Sequence, residues 1–542
     1  MAGQQDTIEA DFVVIGAGSA GCALAARLSE DPATRVVLLE AGGEDKNRWI
    51  HIPLGFGKTF ADPSVNWCYE TEPDPGANNR KIFWPRGKVL GGSSSINGMV
   101  YIRGQAEDFD YWRQLGNTGW SFQDVLPLFK RAEHQTRGSD DFHGTDGPLC
   151  VSDVTEHDAI CEAFIEGAMA LGFPRNDDFN GAKQEGVGYH QTTTRNGKRC
   201  STAVGYLRPA MGRGNLRVIT NALTEKVIVE GGRATGVAFR ENGQPRTVRA
   251  AREVIVCAGA INSPQVLMLS GIGPREQLAQ HGIAVVQDIP GVGKSLQDHY
   301  SAPIKLKCRL PITINDVMLS NLKKVKAGLD YYMFKRGALT VATAPAALFA
   351  RTRPELASPD IKCSMSPFSA DRPQDGLHRW SGFTMIAYQL RPESVGEIKL
   401  KSADPTAAPA MYPNYLATET DQRTIVDGLK LCRRILAQPR LAAFIESEFV
   451  PGPGVQSDAE LLAFARQNGG TVFHPTSTCK MGVDALAVVD PELRVRGVRG
   501  LRVADASIMP TVVSGNTNAA SIMIGEKAAD LIRQESRRAA AA

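Results

Sequence analysis

The stretch DFVVIGAGSAGCALAARLSEDPATRVVLLEAGG, residues 11–43, decides the fold. Phe12-Val13-Val14-Ile15 is a short apolar run of strand type. It ends in Gly16-Ala17-Gly18-Ser19-Ala20-Gly21, the GxGxxG spacing, and an alanine-rich helical segment follows to Ser29. A second apolar run, Val36-Val37-Leu38-Leu39, then delivers Glu40 and Ala41. Each part has a mechanical role. Gly16 permits a tight turn, Gly18 lets the backbone approach a pyrophosphate, and Gly21 allows helix and strand to pack closely. The first helical turn, with Ser19 and Ala20, offers amide donors and a partial positive charge. Glu40 ends the second strand, placed to accept hydrogen bonds from an adenosine ribose. A lone GxGxxG is weak evidence, but strand, glycines, helix, strand and acid occur here in order. The unit alone does not separate FAD from NAD. Its position near residue 1 and the glycine-containing loop Glu40-Ala41-Gly42-Gly43 are more typical of FAD binding.

Working outward, the chain has 542 residues, too many for one ordinary core, which predicts two to four units. Hydrophobic content of 43% and charged content of 22% fit a globular enzyme. A net charge of +3 with no long basic block argues against nucleic acid as a partner. The ten cysteines form no CxxC pair, so they read as scattered reduced thiols. The N-terminal residues lack the charged start and apolar middle of a signal peptide, and no apolar run reaches the ~20 residues of a membrane span. The expectation is a cytoplasmic protein, with peripheral membrane contact left open. The tail RQESRRAAAA, residues 533–542, reads as a frayed end.

Three further stretches carry pattern. WPRGKVLGGSSSINGMVYIRG, 84–104, reads as a loop whose Gly91-Gly92-Ser93 amides and hydroxyls suit a flat polar ligand. Val254-Ile255-Val256-Cys257 followed by AGAINSPQVLMLSGIG reads as strand, turn, helix. TVFHPTSTCKMG, 471–482, sets His474 beside Cys479 and Met481. A metal reading fails because no second ligand pair lies nearby, so no metal is expected.

PRGKVLGGSSSINGMVYIRG, GAINSPQVLMLSGIG, PGVGKSLQDH, HPTSTCKMG and VVSGNTNAASIMIGEKAADLI together resemble the signature blocks of the glucose-methanol-choline (GMC) oxidoreductases. With the N-terminal fingerprint they run from residue 11 to 532, nearly the whole chain. Within that family the chain looks closest to bacterial FAD-linked alcohol dehydrogenases. The resemblance implies an α/β protein, α+β overall. A discontinuous Rossmann-like FAD-binding domain would comprise residues 1–155, 196–310 and 465–542. A substrate domain on an antiparallel sheet with helices would comprise 311–464, with 156–195 as an excursion.

The same resemblance implies roles. His474 fits the catalytic base, and Asn516 fits the second catalytic position, where members carry His or Asn. Arg86, Gly91, Gly92, Ser93, Asn97, Gly98, Met99, Val100, Thr517 and Asn518 fit neighbours of the flavin. Asp505 with Ala506 fits the ribityl-phosphate portion, and Val227 would meet the adenine through its backbone. If the piece is extended, Asn518 points as Asn516 does. Oxidising an alcohol removes a hydroxyl proton, which a histidine can take, and a hydride, which the flavin takes. Asn516 can hydrogen-bond the oxygen as charge develops there.

Two departures matter. Ile96 occupies the place where members with covalently attached FAD often carry histidine, so non-covalent FAD is expected. TVATAPAALFA, 340–350, has Pro345 and no acid where choline-oxidising members carry a carboxylate, which favours a neutral alcohol. The leading expectation is oxidation of a neutral primary alcohol, with electrons passed to a quinone or another non-oxygen carrier. Oxidation with O2 to give hydrogen peroxide, choline dehydrogenation and a flavin-containing hydroxynitrile lyase are the alternatives. KCSMSPFSADRPQDGLHRW, 362–380, reads as part of the pocket or a lid.

Overall fold

The structure, a computed structural model, describes residues 8–372 and 375–541. The first seven residues of the stretch read for a leader, and Pro373-Gln374 of the 362–380 stretch, lie outside the described residues.

Two seven-stranded sheets organise the chain. In the first, Leu216–Ile219, Val36–Leu39, Ile8–Ile15 and Gln244–Val256 run parallel, and Leu501–Val503 adds to the last of these. Val36–Leu39 is buried on both faces, which is why it reads as an unbroken apolar run rather than an alternating one. The hairpin Ala222–Glu230 and Arg233–Glu241 continues the sheet antiparallel from Gln244–Val256. The helix Ser19–Leu28 packs on the helix Asn518–Ala541, so the two ends of the sequence share one layer.

The second sheet is antiparallel, in the order Ile445–Val450, Tyr300–Cys308, Gly382–Gln389, Ile361–Ser366, Ala346–Ala350, Gly186–Tyr189, with Gly470–Thr471 beside Tyr300–Cys308. Tyr300–Cys308 and Gly470–Thr471 fall within stretches assigned above to the nucleotide-binding part; their ladders put them in this second sheet. The helices Ala159–Ala170 and Glu419–Leu436 cover one face. Strand alternation does the sorting. Ile361, Cys363 and Met365 pack under those helices, while Phe349, Tyr388 and Leu390 pack on the other side with Val100 and Ile102. Lys362 lies between the Phe349 and Tyr388 rings and so belongs to that second face.

The tail expected to fray is helical to Ala541. Charge explains it: Arg533 pairs with Glu30, and Glu535 pairs with the buried Arg502. Among the described residues no helix is long and apolar enough to cross a membrane, and no group of three or more ligating side chains could hold a metal.

Candidate active site

One cavity brings together Gly16, Gly18, Ser19, Ala20, Glu40, Ala41, Arg86, Gly92, Ser93, Asn97, Gly98, Met99, Val100, His474, Asp505, Ala506, Asn516, Thr517 and Asn518. Gly21, Gly91 and Val227 do not line it. Gly21 serves packing: a Cβ there would sit 1.9 Å from the Gly16 carbonyl oxygen. Gly91, at φ +86°, donates its amide to the Ala17 carbonyl and so fastens the serine loop to the glycine turn. The Val227 amide is spent on Ser270 Oγ at 2.8 Å, and Leu223 and Thr224, earlier on the same strand, line the cavity instead.

The dinucleotide end is built for an anion. The helix Ser19–Leu28 has no side-chain cap, and its first amides have no intrahelical partner. A Cβ on Gly18 would meet nothing within 4 Å, so the space before that helix end is open. Glu40 accepts from the Ala17 and Gly42 amides at 2.9 and 2.8 Å, bridging the two loops; burial pushes its carboxyl up to about 7 against those bonds. Asp505 lines the cavity, and its carboxylate is also bonded to the surrounding backbone and Ser263. One oxygen accepts from the Gly259 amide and Ser263 Oγ, capping the helix Gly259–Leu269, and the other accepts from the Ser507 amide. Asn516 and Asn518 do not point alike, because Asn518 opens a helix: its Oδ1 accepts from Ser19 Oγ at 2.7 Å and ties the two helix starts together.

At the other end stands His474. Its backbone N–H donates to Asp298 Oδ1 at 2.8 Å, and Asp298 Oδ2 accepts from Tyr415 and Thr471 hydroxyls at 2.5 Å each. The residue before it, Phe473, has φ +70°, a strained value for a non-glycine residue. Thr471 Oγ1 accepts from its amide and the half-buried Arg86 donates to its carbonyl at 2.7 Å, so the strain is held from both sides.

The side-chain contacts of His474 form a chain whose proton positions are fixed by its ends. His299 Nε2 lies 3.0 Å from the Leu390 carbonyl, which can only accept, so that nitrogen carries a proton. Neutral His299 therefore accepts at Nδ1, and His474 Nδ1, 2.9 Å away, must donate. His474 Nε2 is then the lone-pair nitrogen, facing Asn516 Nδ2 at 3.0 Å. From the far end, Lys362 Nζ donates to Asn516 Oδ1 at 3.2 Å, which turns the amide the same way. Both ends give one answer: His474 presents an unprotonated Nε2 to the cavity.

Electrostatics keep it so. Burial first, then His299, Lys362 and Arg86, hold His474 well below the ordinary imidazole range. Burial brings His299 down to about 4 and Lys362 down to about 7. Lys362 is 2% exposed and has no carboxylate partner among the described residues; its nitrogen lies 5.0 and 5.4 Å from the Phe349 and Tyr388 ring centres. Cys479 and Met481 are buried packing residues, and burial raises the Cys479 thiol.

Family models described as GMC oxidoreductase match residues 10–301 and 392–525. The chain belongs to the GMC oxidoreductase family. It is 44% identical over 530 residues to an alcohol dehydrogenase (acceptor) of Pseudomonas putida, covering 96% of this chain and 95% of that one. It is 45% identical over 542 residues to the mitochondrial choline dehydrogenase of Homo sapiens, covering 98% and 91%. The crystal structure of pyridoxine 4-oxidase from Mesorbium loti superposes with a TM-score of 0.88 at 30% identity, covering 97% of this chain and 99% of that one.

In this GMC oxidoreductase the residues that sequence reading left out are Asp298, His299 and Lys362. The first two sat within the PGVGKSLQDH block without being weighed singly. Lys362 opens the 362–380 stretch read as part of the pocket or a lid but was not singled out, because a lysine inside a strand reads as a solvated edge residue.

Proposed function

We propose that this GMC oxidoreductase binds FAD non-covalently and oxidises a neutral primary alcohol to the aldehyde, with electrons leaving to a non-oxygen acceptor. The carrying observation is the fixed chain that leaves the His474 Nε2 lone pair in the cavity. The cavity fits FAD by its chemistry. Open space before an uncapped helix start suits the pyrophosphate, Glu40 suits the ribose, and the Arg86, Gly92-Ser93 and Asn97–Val100 walls suit the flavin. Ile96 lines the cavity where a covalent attachment would need histidine. When bound, FAD supplies the two-electron acceptor for the hydrogen leaving the alcohol carbon.

The chain's own residues do the rest. The alcohol hydroxyl donates to His474 Nε2 and accepts from Asn516 Nδ2, satisfying both partners of the contact it replaces. Lys362 polarises the Asn516 amide from its oxygen side, which strengthens the N–H that faces the developing negative oxygen. Burial keeps His474 unprotonated but also lowers its basicity. Proton uptake at Nε2 is therefore favourable only as negative charge builds on the substrate oxygen, which couples the two hydrogen losses.

Lys362 also bears on the substrate. A cationic head group brought beside Asn516 would meet the Lys362 amino group and no carboxylate in contact with that amide. This favours a neutral alcohol over choline, although a choline dehydrogenase is among the similar proteins. The test is anaerobic mixing of the purified flavoprotein with aliphatic, benzylic, furanic and polyol alcohols and choline, following the flavin's visible absorbance. Bleaching by a neutral alcohol and not by choline supports the reading. Bleaching by choline alone overturns the substrate class, and peroxide formation under air matching turnover overturns the acceptor.

A further inference from the structure

The helix Asn321–Phe334 is amphipathic the wrong way round. Only Ala327 and Tyr331 of its fourteen residues are buried. At ~100° per residue, Leu322, Val325, Leu329, Tyr332 and Met333 share one stripe of about 100° on the side opposite those two. All five face solvent: Leu322 is 85% exposed and Met333 68%. Of the nineteen large hydrophobics exposed among the described residues, nine fall between residues 310 and 334. An apolar stripe that a globular protein leaves in water marks an interaction surface.

Charge selects the partner. Lys323, Lys324 and Lys326 lie on the same helix, and Lys335 and Arg336 follow it, against Asp330 as its single acid. None of these five cations pairs with a carboxylate among the described residues. A second copy of this chain would bring the same lysines against each other, so self-association through this face is opposed by like charge. An apolar stripe flanked by unpaired lysines matches a bilayer surface rich in anionic lipid.

We propose that the helix Asn321–Phe334 is a membrane-surface docking element, laying Leu322, Val325, Leu329, Tyr332 and Met333 into the headgroup region of an anionic bilayer. The helix leans on the segment that leads into the cavity: Tyr331 Oη donates to the His51 carbonyl at 3.4 Å, and Phe60 lines the cavity. Docking would therefore set the site close to the lipid surface. The proposal stands on geometry and charge and does not depend on which alcohol is oxidised.

The experiment is co-sedimentation of the full chain with vesicles of phosphatidylcholine alone and of phosphatidylcholine with phosphatidylglycerol. Binding to the anionic vesicles, weakened by salt, is expected. The double variant Leu322→Glu/Leu329→Glu should lose it at least tenfold, about one decade of partition. The triple variant Lys323→Glu/Lys324→Glu/Lys326→Glu should lose about 100-fold. Turnover with a water-soluble acceptor should be unchanged in both, which shows that they fold. Equal binding of wild type and variants, or no binding to anionic vesicles, overturns the proposal. So does a concentration-dependent dimer in sedimentation velocity that Leu322→Glu abolishes, since a second copy would then be the occupant.

Discussion

At the scale of single residues, the proposed chemistry rests on one imidazole whose tautomer is set from behind. His299 fits a positioning residue: its Nε2–H donates a hydrogen bond to the Leu390 carbonyl and its Nδ1 accepts one from the His474 Nδ1 proton. Replacing it with leucine leaves that proton without an acceptor and frees the ring to present the wrong nitrogen. His299→Leu is expected to lower kcat about 100-fold or more with little change in KM, read by steady-state kinetics on a flavin-loaded protein. An equal rise in KM with unchanged kcat would point to a packing role instead. Lys362 makes a second prediction, through stability. Its folded-state value of about 7 lies below the ordinary lysine value of 10.5, so the unfolded chain holds the extra proton between those limits. The burial cost is therefore full below about pH 7 and fades as pH rises toward 10.5. Lys362→Met should raise Tm most at about pH 6, with the gain shrinking toward pH 9. A gain that is constant with pH would mean that the lysine titrates normally.

At the scale of elements, much of the site was legible because glycine and strand patterns are local. The strand at Phe12–Ile15, the helix from Ser19 and the strand Val36–Leu39 all appear. What a linear reading lacks is the register between distant pieces. Val227 was placed against the adenine, yet Ser270 from the next helix takes its amide. Asn518 was expected to parallel Asn516, yet the helix start falls between them. Lys362 and His299 acquire meaning only where the antiparallel sheet passes behind His474. The glycine turn gives a prediction at this scale. Because a Cβ at Gly21 would collide with the Gly16 carbonyl, Gly21→Ala must move the turn that Gly16 and Gly18 form. It should cost about 1–3 kcal/mol and release flavin, measured by thermal unfolding and by the visible-to-protein absorbance ratio. Full flavin content with unchanged Tm would show that the turn can yield.

At the scale of the whole molecule, the last helix locks the first. Glu526, fully buried, accepts from Arg27 Nε at 3.0 Å, Arg131 Nε at 2.8 Å and Tyr206 Oη at 2.7 Å. These bonds join residues up to 499 positions apart and tie the last turn of the first helix to the last helix, while Ser19 and Asn518 tie the two helix starts. Removing the carboxylate strands a partly buried arginine pair, so Glu526→Ala should cost about 3–5 kcal/mol in denaturant unfolding and weaken flavin retention. A loss below about 1 kcal/mol would show the cluster to be dispensable. The two-sheet architecture explains why neither sheet alone could be catalytic. The first holds the dinucleotide end, the second brings Lys362 behind Asn516, and His474 sits where the chain returns from one to the other.

The most direct measurement of that arrangement is the anaerobic rate of flavin reduction by a bleaching alcohol, followed against pH in wild type and in His474→Ala. Because burial, His299, Lys362 and Arg86 all push His474 down, the imidazole is neutral throughout the neutral range. The wild-type rate should therefore keep its base above pH 6.5 and lose it only at lower pH, while His474→Ala falls about 100-fold to 10,000-fold and loses that acid limb. An acid limb at or above pH 6.5, or a His474→Ala rate near wild type, would contradict the assignment of His474 as the neutral base.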